Sequence, residues 1–192
     1  MLDNNKLLVK VKKCLDEKRF NHSLSTAEMA QKLAEEYSYD TEKAYQAGLL
    51  HDICRGCSLS RLELWISESR WQLDIWEKQV PALIHSPASA ARAEKEFGIN
   101  DSELLEAVRY HSIGYDGMSR LTSIIFLADK IDSSRSYPGV ESARKAAFRS
   151  LDEGLMKVCR NTIGYLLEND VLIHPNTLIL RNSLLRRKEA DE

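Results

Sequence analysis

The chain has 192 residues, of which 27 are lysine or arginine and 29 are aspartate or glutamate, so its formal net charge is −2. This balance argues against a protein whose main task is to bind a nucleic-acid backbone or an anionic membrane. No apolar run approaches the roughly 18 residues of a membrane-spanning helix, and the N-terminus lacks a secretory signal. We therefore expect one cytoplasmic domain over residues 1–192 that binds neither nucleic acid nor membranes.

The four cysteines do not form the pattern of a disulfide scaffold or a zinc site. Cys54 and Cys57 make one Cys-x-x-Cys pair, whereas Cys14 and Cys159 stand alone. A structural zinc site needs a second such pair or a histidine pair in register. We interpret the thiols as reduced and either buried or incidental, which agrees with a cytoplasmic location.

Hydrophobic periodicity predicts helices along almost the whole chain. The first helix is entered through Asp3 or Asn4, and its apolar face extends to Leu15. A second helix is predicted from about residue 19 to 37 and a third from 41 to 53. The third is rich in alanine and glycine, so we expect another helix to approach it closely.

Local signals mark the ends of further helices. Capping-box spacing at residues 60–63 and 100–103 predicts two helix starts. Ser86 followed by Pro87 predicts an N-cap with proline in the first helical turn. Gly98 predicts that this helix ends at a C-terminal glycine. The remaining helices are predicted from apolar spacing over residues 121–128, 155–166 and 178–185.

Nothing in the sequence predicts a sheet or a second domain. The best alternating stretch, residues 171–173, is only three residues long. The expected fold is therefore all-α, a single helical bundle. Trp65, Trp71 and Trp76 either cover the core or form a dimer face; we favour the core, which leaves a homodimer open.

The placement of the five histidines is informative because they are few. His22, His51, His85 and His111 each fall near a predicted helix end or within a turn of one. Taken singly, each of these four histidines is typical of an ordinary histidine in a helix. His174 directly precedes a proline, and we interpret it as structural.

Two carboxylates accompany these histidines in a way that suits a metal ion. Asp52 directly follows His51, and Asp129 ends an apolar run, where a buried carboxylate needs a cation or hydrogen-bond donors. Imidazole and carboxylate ligands together suit Fe, Mn, Co, Ni or Zn. To complete the ligand set, His22 would have to reach the same ion from a neighbouring helix. An ordinary ion pair between Asp129 and the adjacent Lys130 at a helix surface is the alternative.

The order of these residues resembles the HD superfamily of metal-dependent phosphohydrolases and, within it, the YqeK family. The superfamily is named for an adjacent His-Asp pair, here His51-Asp52. The resemblance covers nearly the whole chain. The blocks that carry it are residues 19–22, 48–55, 85–87, 110–114, 128–132, 135, 137–140, 162–166, 173–177 and 181–182.

This resemblance implies an HD-type bundle with its metal-ligand core at about residues 19–135. The C-terminal helices, about 138–188, would complete the nucleotide site. It implies one or two divalent ions, iron foremost, with Mn, Co or Ni as substitutes. The implied reaction is symmetrical cleavage of diadenosine tetraphosphate into two ADP by a metal-bound hydroxide.

Residue by residue, the resemblance assigns two sets of side chains. His22, His51, Asp52 and Asp129 match the metal ligands of the superfamily. An additional pair, His85 and His111, either holds a second metal or meets the substrate phosphates and acts in catalysis.

Three basic residues are candidates for phosphate binding. These are Arg55, Lys130 and Arg135, and arginine suits bidentate phosphate contacts. Each of the three is equally compatible with a solvated helix face. Arg55 stands where the family more often has lysine, which changes the geometry of the phosphate contact.

We further hypothesise that residues 162–166 and Arg181 shape the adenosine pocket. Thr162 and Tyr165 supply polar groups there, since nucleotide pockets combine apolar walls with few polar groups. A buried pair of C-terminal helices is the alternative for the apolar members of this segment.

Two other functions stay open at this point. One keeps the metal site but acts on a nucleoside monophosphate or a guanosine alarmone. The other is a non-catalytic sensor that binds ADP. A nucleic-acid-binding module is disfavoured, because basic excess and an aromatic platform are both missing from the sequence.

Overall fold

The computed structural model describes residues 3–190, and within this range the chain forms helices and no strand. The all-α prediction is confirmed, and no helix in the described range is long and apolar enough to cross a membrane. One 3₁₀ turn, Pro81–Leu83, accompanies the α-helices. The α-helices are α1 Asn4–Lys12, α2 Glu17–Glu36, α3 Thr41–Leu50, α4 Leu59–Ser67, α5 Ile75–Gln79, α6 His85–Phe97, α7 Ser102–Tyr110, α8 Arg120–Ile131, α9 Val140–Ala147, α10 Leu151–Glu168 and α11 Pro175–Ala190.

Aspartate side chains cap several of these helices. Asp3 accepts a hydrogen bond from the backbone N–H of Lys6, which confirms the predicted entry to α1. Asp16, Asp40 and Asp101 cap α2, α3 and α7 in the same way. Each carboxylate satisfies a backbone donor that the first helical turn leaves unpaired.

Some predicted helix boundaries are wrong. α4 begins at Leu59, so Ser60 lies inside it, and α7 is capped by Asp101 rather than by Asn100. Ser86 is not an N-cap, because the 3₁₀ turn runs directly into α6 and Ile84 already has helical backbone angles. The short helices α5 and α9 have no predicted counterpart: α5 has only five residues, and the apolar face of α9 is mostly alanine.

α8 is the central helix of the bundle. Every residue from Leu121 to Asp129 is buried, and α2, α3, α7 and α10 pack around it. α2 and α3 approach each other very closely, because a Cβ placed on Gly48 would lie 2.6 Å from Cα of Ala27. This confirms the close helix approach predicted from the small residues of α3.

The cysteines, the tryptophans and His174 lie in surroundings that suit a structural role. The four cysteines are free, with Cys54 and Cys159 buried. Trp65 and Trp71 are half-buried against the core, as favoured above, whereas Trp76 is half-buried without packing against that core cluster. His174 is buried, and its Nε2 lies 2.7 Å from the Asp74 carboxylate at the start of α5.

Candidate metal centre

Six side chains predicted as ligands or catalytic residues lie together in the middle of the bundle. His22 comes from α2, His51 and Asp52 directly follow α3, and Asp129 lies near the end of α8. His85 is the first residue of α6, and His111 directly follows α7. All are buried except His22, whose side chain is 12% exposed.

These side chains form two adjoining groups that could each hold a metal ion. The first contains His22, His51 and Asp129, and the second contains His51, Asp52 and His111. In each group, one ligand atom per residue lies within 4.8 Å of the others. His51 belongs to both groups, so it is the centre of the arrangement.

The contacts within the first group are short. Nε2 of His22 lies 3.0 Å from Oδ1 of Asp129, and Nε2 of His51 lies 3.3 Å from Nε2 of His22. The distance from His51 Nε2 to Asp129 Oδ1 is 3.6 Å. The packing of α2, α3 and α8 thus brings together residues that are 107 positions apart.

The second group extends to His85. Oδ1 of Asp52 lies 3.1 Å from Nε2 of His85 and 3.6 Å from Nε2 of His111. The two Nε2 atoms are 3.2 Å apart. Asp52 therefore contacts all three histidines that lie at helix ends, since its Oδ2 is also 3.8 Å from Nε2 of His51.

The three histidines at helix ends are oriented by the backbone. Nδ1 of His51 donates to the carbonyl of Gly48 (2.7 Å), Nδ1 of His111 to that of Val108 (2.8 Å), and Nδ1 of His85 to that of Ala82 (2.6 Å). A carbonyl oxygen only accepts hydrogen bonds, so each Nδ1 carries the hydrogen. In the neutral ring Nε2 then keeps its lone pair, as metal-binding histidines require.

His22 is oriented by a carboxylate that the sequence reasoning did not single out. Its Nδ1 lies 3.4 Å from Oδ2 of Asp132, a fully buried side chain. Asp132 is itself held by the backbone N–H of Ser134 (2.8 Å) and by Nε of Arg135 (3.1 Å). This is the carboxylate–histidine arrangement found behind many metal ligands.

Two serine hydroxyls are further residues missed in the sequence. Ser112 Oγ lies 3.1 Å from Nε2 of His111, and Ser86 Oγ lies 2.7 Å from Ser112 Oγ. Both immediately follow a histidine of the centre, and that adjacency was the available signal. The hydroxyls extend the polar lining of the second group.

The donor set fits a divalent cation. Lone pairs on Nε2 of His51, His85 and His111 and on the carboxylates of Asp52 and Asp129 make the interior of the centre a collection of acceptors. A cation satisfies such a collection, and a mixture of imidazole and carboxylate suits the borderline divalent metals. His22, His51, Asp52, His111 and Asp129 are the residues that could hold it.

The buried carboxylates are kept ionised by their neighbours. Burial acts to raise the pKa of Asp129, but the charge of Lys130 and the hydrogen bond from His22 outweigh it and hold the pKa well below 3.8. The pKa of Asp52 is likewise held well below 3.8, because the three histidines that face its carboxylate outweigh burial. Ionised carboxylates are what cation binding needs.

The histidines respond to burial differently at the two ends of the centre. Burial lowers the pKa of His111 to about 4. Burial also opposes protonation of His22, but hydrogen bonds to Asp129 and Asp132 prevail and raise its pKa to about 9. The pKa of Asp132 falls to about 2, because bonds from His22 and Ser134 outweigh burial.

The three predicted phosphate-binding cations surround the centre and already have partners. NH1 of Arg55 donates to the carbonyl of Ala82 (3.0 Å) and lies 3.2 Å from Nε2 of His85. NH2 of Arg135 donates to Asp129 Oδ1 (2.7 Å).

Lys130 is also engaged. Its Nζ donates to Asp129 Oδ2 (2.8 Å) and to the backbone carbonyl of His111 (2.9 Å). The alternative of an ordinary surface pair is wrong, because Asp129 is only 8% exposed.

The predicted adenosine-binding residues lie apart from these contacts. Tyr165 is 63% exposed, whereas Thr162 and Arg181 are half-buried. In residues 3–190, no hydrogen bond, ion pair or ring contact joins any of them to the six central side chains. Tyr137, which was not among the predicted site residues, lies beside Asn161 of α10 and near the charges of Arg135 and Asp129, and burial raises its pKa.

Comparison with known proteins gives consistent matches over most of the chain. The HD domain pattern matches residues 19–134. A symmetrical bis(5′-nucleosyl)-tetraphosphatase of Staphylococcus aureus is 37% identical, over 92% of this chain and 91% of that protein. Its counterpart in Bacillus subtilis is 30% identical, over 96% and 98% respectively.

A solved structure has the same architecture. It is described as a predicted HD superfamily hydrolase involved in NAD metabolism from Clostridium acetobutylicum. The TM-score is 0.91 at 34% identity, and the match covers 97% of this chain and 99% of that one.

Proposed function

The chain belongs to the HD domain family, and on that premise we propose that it hydrolyses diadenosine tetraphosphate symmetrically into two molecules of ADP. The observation that carries the proposal is the convergence of six His and Asp side chains into two adjoining groups that share His51. Relatives named for this reaction match nearly the full length of the chain, which supports the choice of substrate.

A divalent metal bound at the centre would supply the positive charge that activates water near pH 7 and neutralises phosphoryl oxygens. We assign its binding to His22, His51, Asp52 and Asp129. The rigid rings and ionised carboxylates of this set support that assignment, because ligands that are already oriented lose little entropy on binding.

His85 and His111 have different surroundings, and we propose different roles for them. His111 is 1% exposed, and its Nε2 faces Asp52 and His85, which suits a ligand. His85 contacts the guanidinium of Arg55, which is partly exposed. We assign Arg55 and His85 to the phosphates, where they stabilise charge on the departing ADP.

The other parts of the proposal follow the sequence expectations. We propose iron as the metal, with Mn, Co or Ni as substitutes, in one or two positions. The core would span about residues 19–135, and the helices over about 138–188 would complete the nucleotide site through Thr162, Tyr165 and Arg181. A cytoplasmic location and a homodimer are included, supported by the composition and by exposed apolar residues such as Leu167 and Ile179.

One experiment tests the reaction and the metal together. The protein is purified without oxygen, its metal content is measured, and diadenosine tetraphosphate products are separated by chromatography. A single ADP product is expected, lost on chelation and restored by iron. Formation of AMP and ATP, or full activity after complete chelation, would contradict the proposal. Nucleoside monophosphates and guanosine alarmones serve as competing substrates.

A further inference from the structure

We propose that the buried ion pair between Glu77 and Arg109 positions His85 and His111 at the metal centre. Glu77 lies in α5 and Arg109 lies in α7. Both are positioning residues, since they act through the two histidines. The inference rests on the proposed function, because that function assigns His85 and His111 to the reaction.

The ion pair is bidentate and shielded from solvent. Nη1 of Arg109 donates to Oε1 of Glu77 (2.6 Å), and Nη2 donates to Oε2 (2.8 Å). Glu77 is fully buried, and Arg109 is only 5% exposed. Nη2 of Arg109 also donates to the carbonyl of Gln72, and Glu77 accepts from the backbone N–H of Asp74. Two parallel contacts between a guanidinium and a carboxylate define one relative geometry of the partners.

Glu77 anchors a segment that otherwise lies near the surface. Across residues 67–83, all of which the structure describes, Glu77 is the only buried residue. Burial removes hydration from both charged groups, and uncharged side chains of similar volume often stabilise a fold equally well. Uncharged side chains lack the fixed geometry of two parallel hydrogen bonds. The ion pair therefore serves to place α5 rather than to stabilise the bundle.

α5 leads directly to His85. Shortly after Glu77 the chain enters the 3₁₀ turn Pro81–Leu83. The carbonyl of Ala82 in this turn accepts from Nδ1 of His85 (2.6 Å) and from Nη1 of Arg55 (3.0 Å). A shift of α5 would therefore move the acceptor that orients His85 and Arg55.

Arg109 holds the segment that carries His111. It lies in the last turn of α7, next to Val108, whose carbonyl accepts from Nδ1 of His111 (2.8 Å). Nε2 of His111 is 3.2 Å from Nε2 of His85, and both rings face the carboxylate of Asp52. The ion pair thus joins the two segments that carry these rings and sets the spacing between them.

The test removes both charges at once with the double variant Glu77→Gln/Arg109→Met. A single Arg109→Met change would leave the Glu77 carboxylate buried without its cation, which destabilises a fold strongly. The glutamine keeps the shape of Glu77 and an oxygen that accepts from the Asp74 N–H. Because no unpaired charge is left buried, the melting temperature should change by less than about 4 °C.

The kinetic effect should fall on turnover. At saturating metal, kcat of the double variant for diadenosine tetraphosphate should fall about 10- to 100-fold, the loss typical of residues that orient metal ligands. KM should change less than about threefold, because His85 and Arg55 stabilise charge that develops only as ADP departs. Arg109→Lys keeps the charge but not the bidentate contact, so its kcat should lie between those of the double variant and wild type.

Titration of the metal-free proteins with Co²⁺ gives a readout that does not depend on the reaction. Displacement of the two rings should change the visible absorption spectrum of bound Co²⁺ and weaken its binding about tenfold. If wild-type protein does not hydrolyse the dinucleotide but the double variant shows these changes, the proposed reaction fails and the positioning role stands. Glu153→Gln/Arg149→Met makes the same two changes at an exposed ion pair and should match wild type in both measurements.

Two results would overturn the positioning role of Glu77 and Arg109. One is a double variant with wild-type kcat and an unchanged Co²⁺ spectrum. The other is a lowered melting temperature with an unchanged Co²⁺ spectrum of the folded protein, since a merely structural role of the ion pair predicts that combination.

Discussion

The histidines of the metal centre are held in two different ways. His51, His85 and His111 lie at helix ends, and each donates to a backbone carbonyl three residues earlier. His22 lies inside α2 and depends on Asp132, which follows α8. The hydrogen bonds to backbone carbonyls need only local helix geometry. The contact between His22 and Asp132 requires α2 and the end of α8 to be packed correctly. The centre thus combines three rings oriented by local helix structure with one ring oriented by tertiary packing.

The largest effect is expected from His51→Ala, because His51 is the one residue common to both ligand groups. Hydrolysis should fall to the background rate, and bound metal should be lost from both positions. Product chromatography and metal analysis on the purified variant check this. His174→Gln is the matched control, since that histidine is buried but bonds to Asp74, and it should keep its metal. A His51→Ala protein with full metal content would contradict the shared role.

Gly48→Ala should disturb the backbone hydrogen bond that orients the His51 ring. The added Cβ would meet backbone atoms of Ala27 at 2.6 and 2.9 Å, which cannot move aside, and Gly48 also supplies the carbonyl that orients the ring. We expect a loss of about 1–3 kcal/mol in the free energy of unfolding, together with lower kcat. Urea denaturation measures the first. Gly164→Ala, a helical position with open space, should be neutral or slightly stabilising.

Asp132→Asn should affect only the ring held by tertiary packing. Loss of such an outer carboxylate typically costs 10- to 100-fold in metal affinity or activity. Metal titration of the variant, followed by rate measurements at saturating metal, distinguishes the two effects. An unchanged metal affinity would mean that α2 alone orients His22. The fold should tolerate this change, because asparagine has the same shape.

The smallest effect concerns a charge cluster remote from the centre. Burial raises the pKa values of Asp101 and Glu103, but Lys43 outweighs it and lowers both from their ordinary 3.8 and 4.5. The pairing therefore stabilises the fold above about pH 4.5, and this stability is lost as the pH falls through the lowered values. Lys43→Met should cost under about 1 kcal/mol at pH 7, and less at pH 3. An equal loss of unfolding free energy at pH 7 and pH 3 would contradict the link between the lowered carboxyl pKa values and stability.

The difference between local helix geometry and contacts of distant helices also explains which features could be predicted from the sequence. Helix periodicity and the order of the His and Asp residues are local or ordered signals, and both predicted the bundle and the cluster. The role of Asp132 depends on a contact with α2, more than a hundred positions away, which no local pattern contains. The predicted N-cap of α6 is wrong for a different reason: Ser86 and Pro87 have capping chemistry, but the 3₁₀ turn just before them runs directly into the helix.

The contact between α2 and α8 also bears on how the protein resists unfolding. His22 and Asp129 are 3.0 Å apart in space and 107 positions apart in sequence. A covalent cross-link over a loop of about 100 residues stabilises a fold by about 4–5 kcal/mol in the chain-entropy model. An ion coordinated by both would act as a reversible version of such a staple. Resistance to heat and proteases should then rise with the logarithm of free metal concentration once binding exceeds half-saturation.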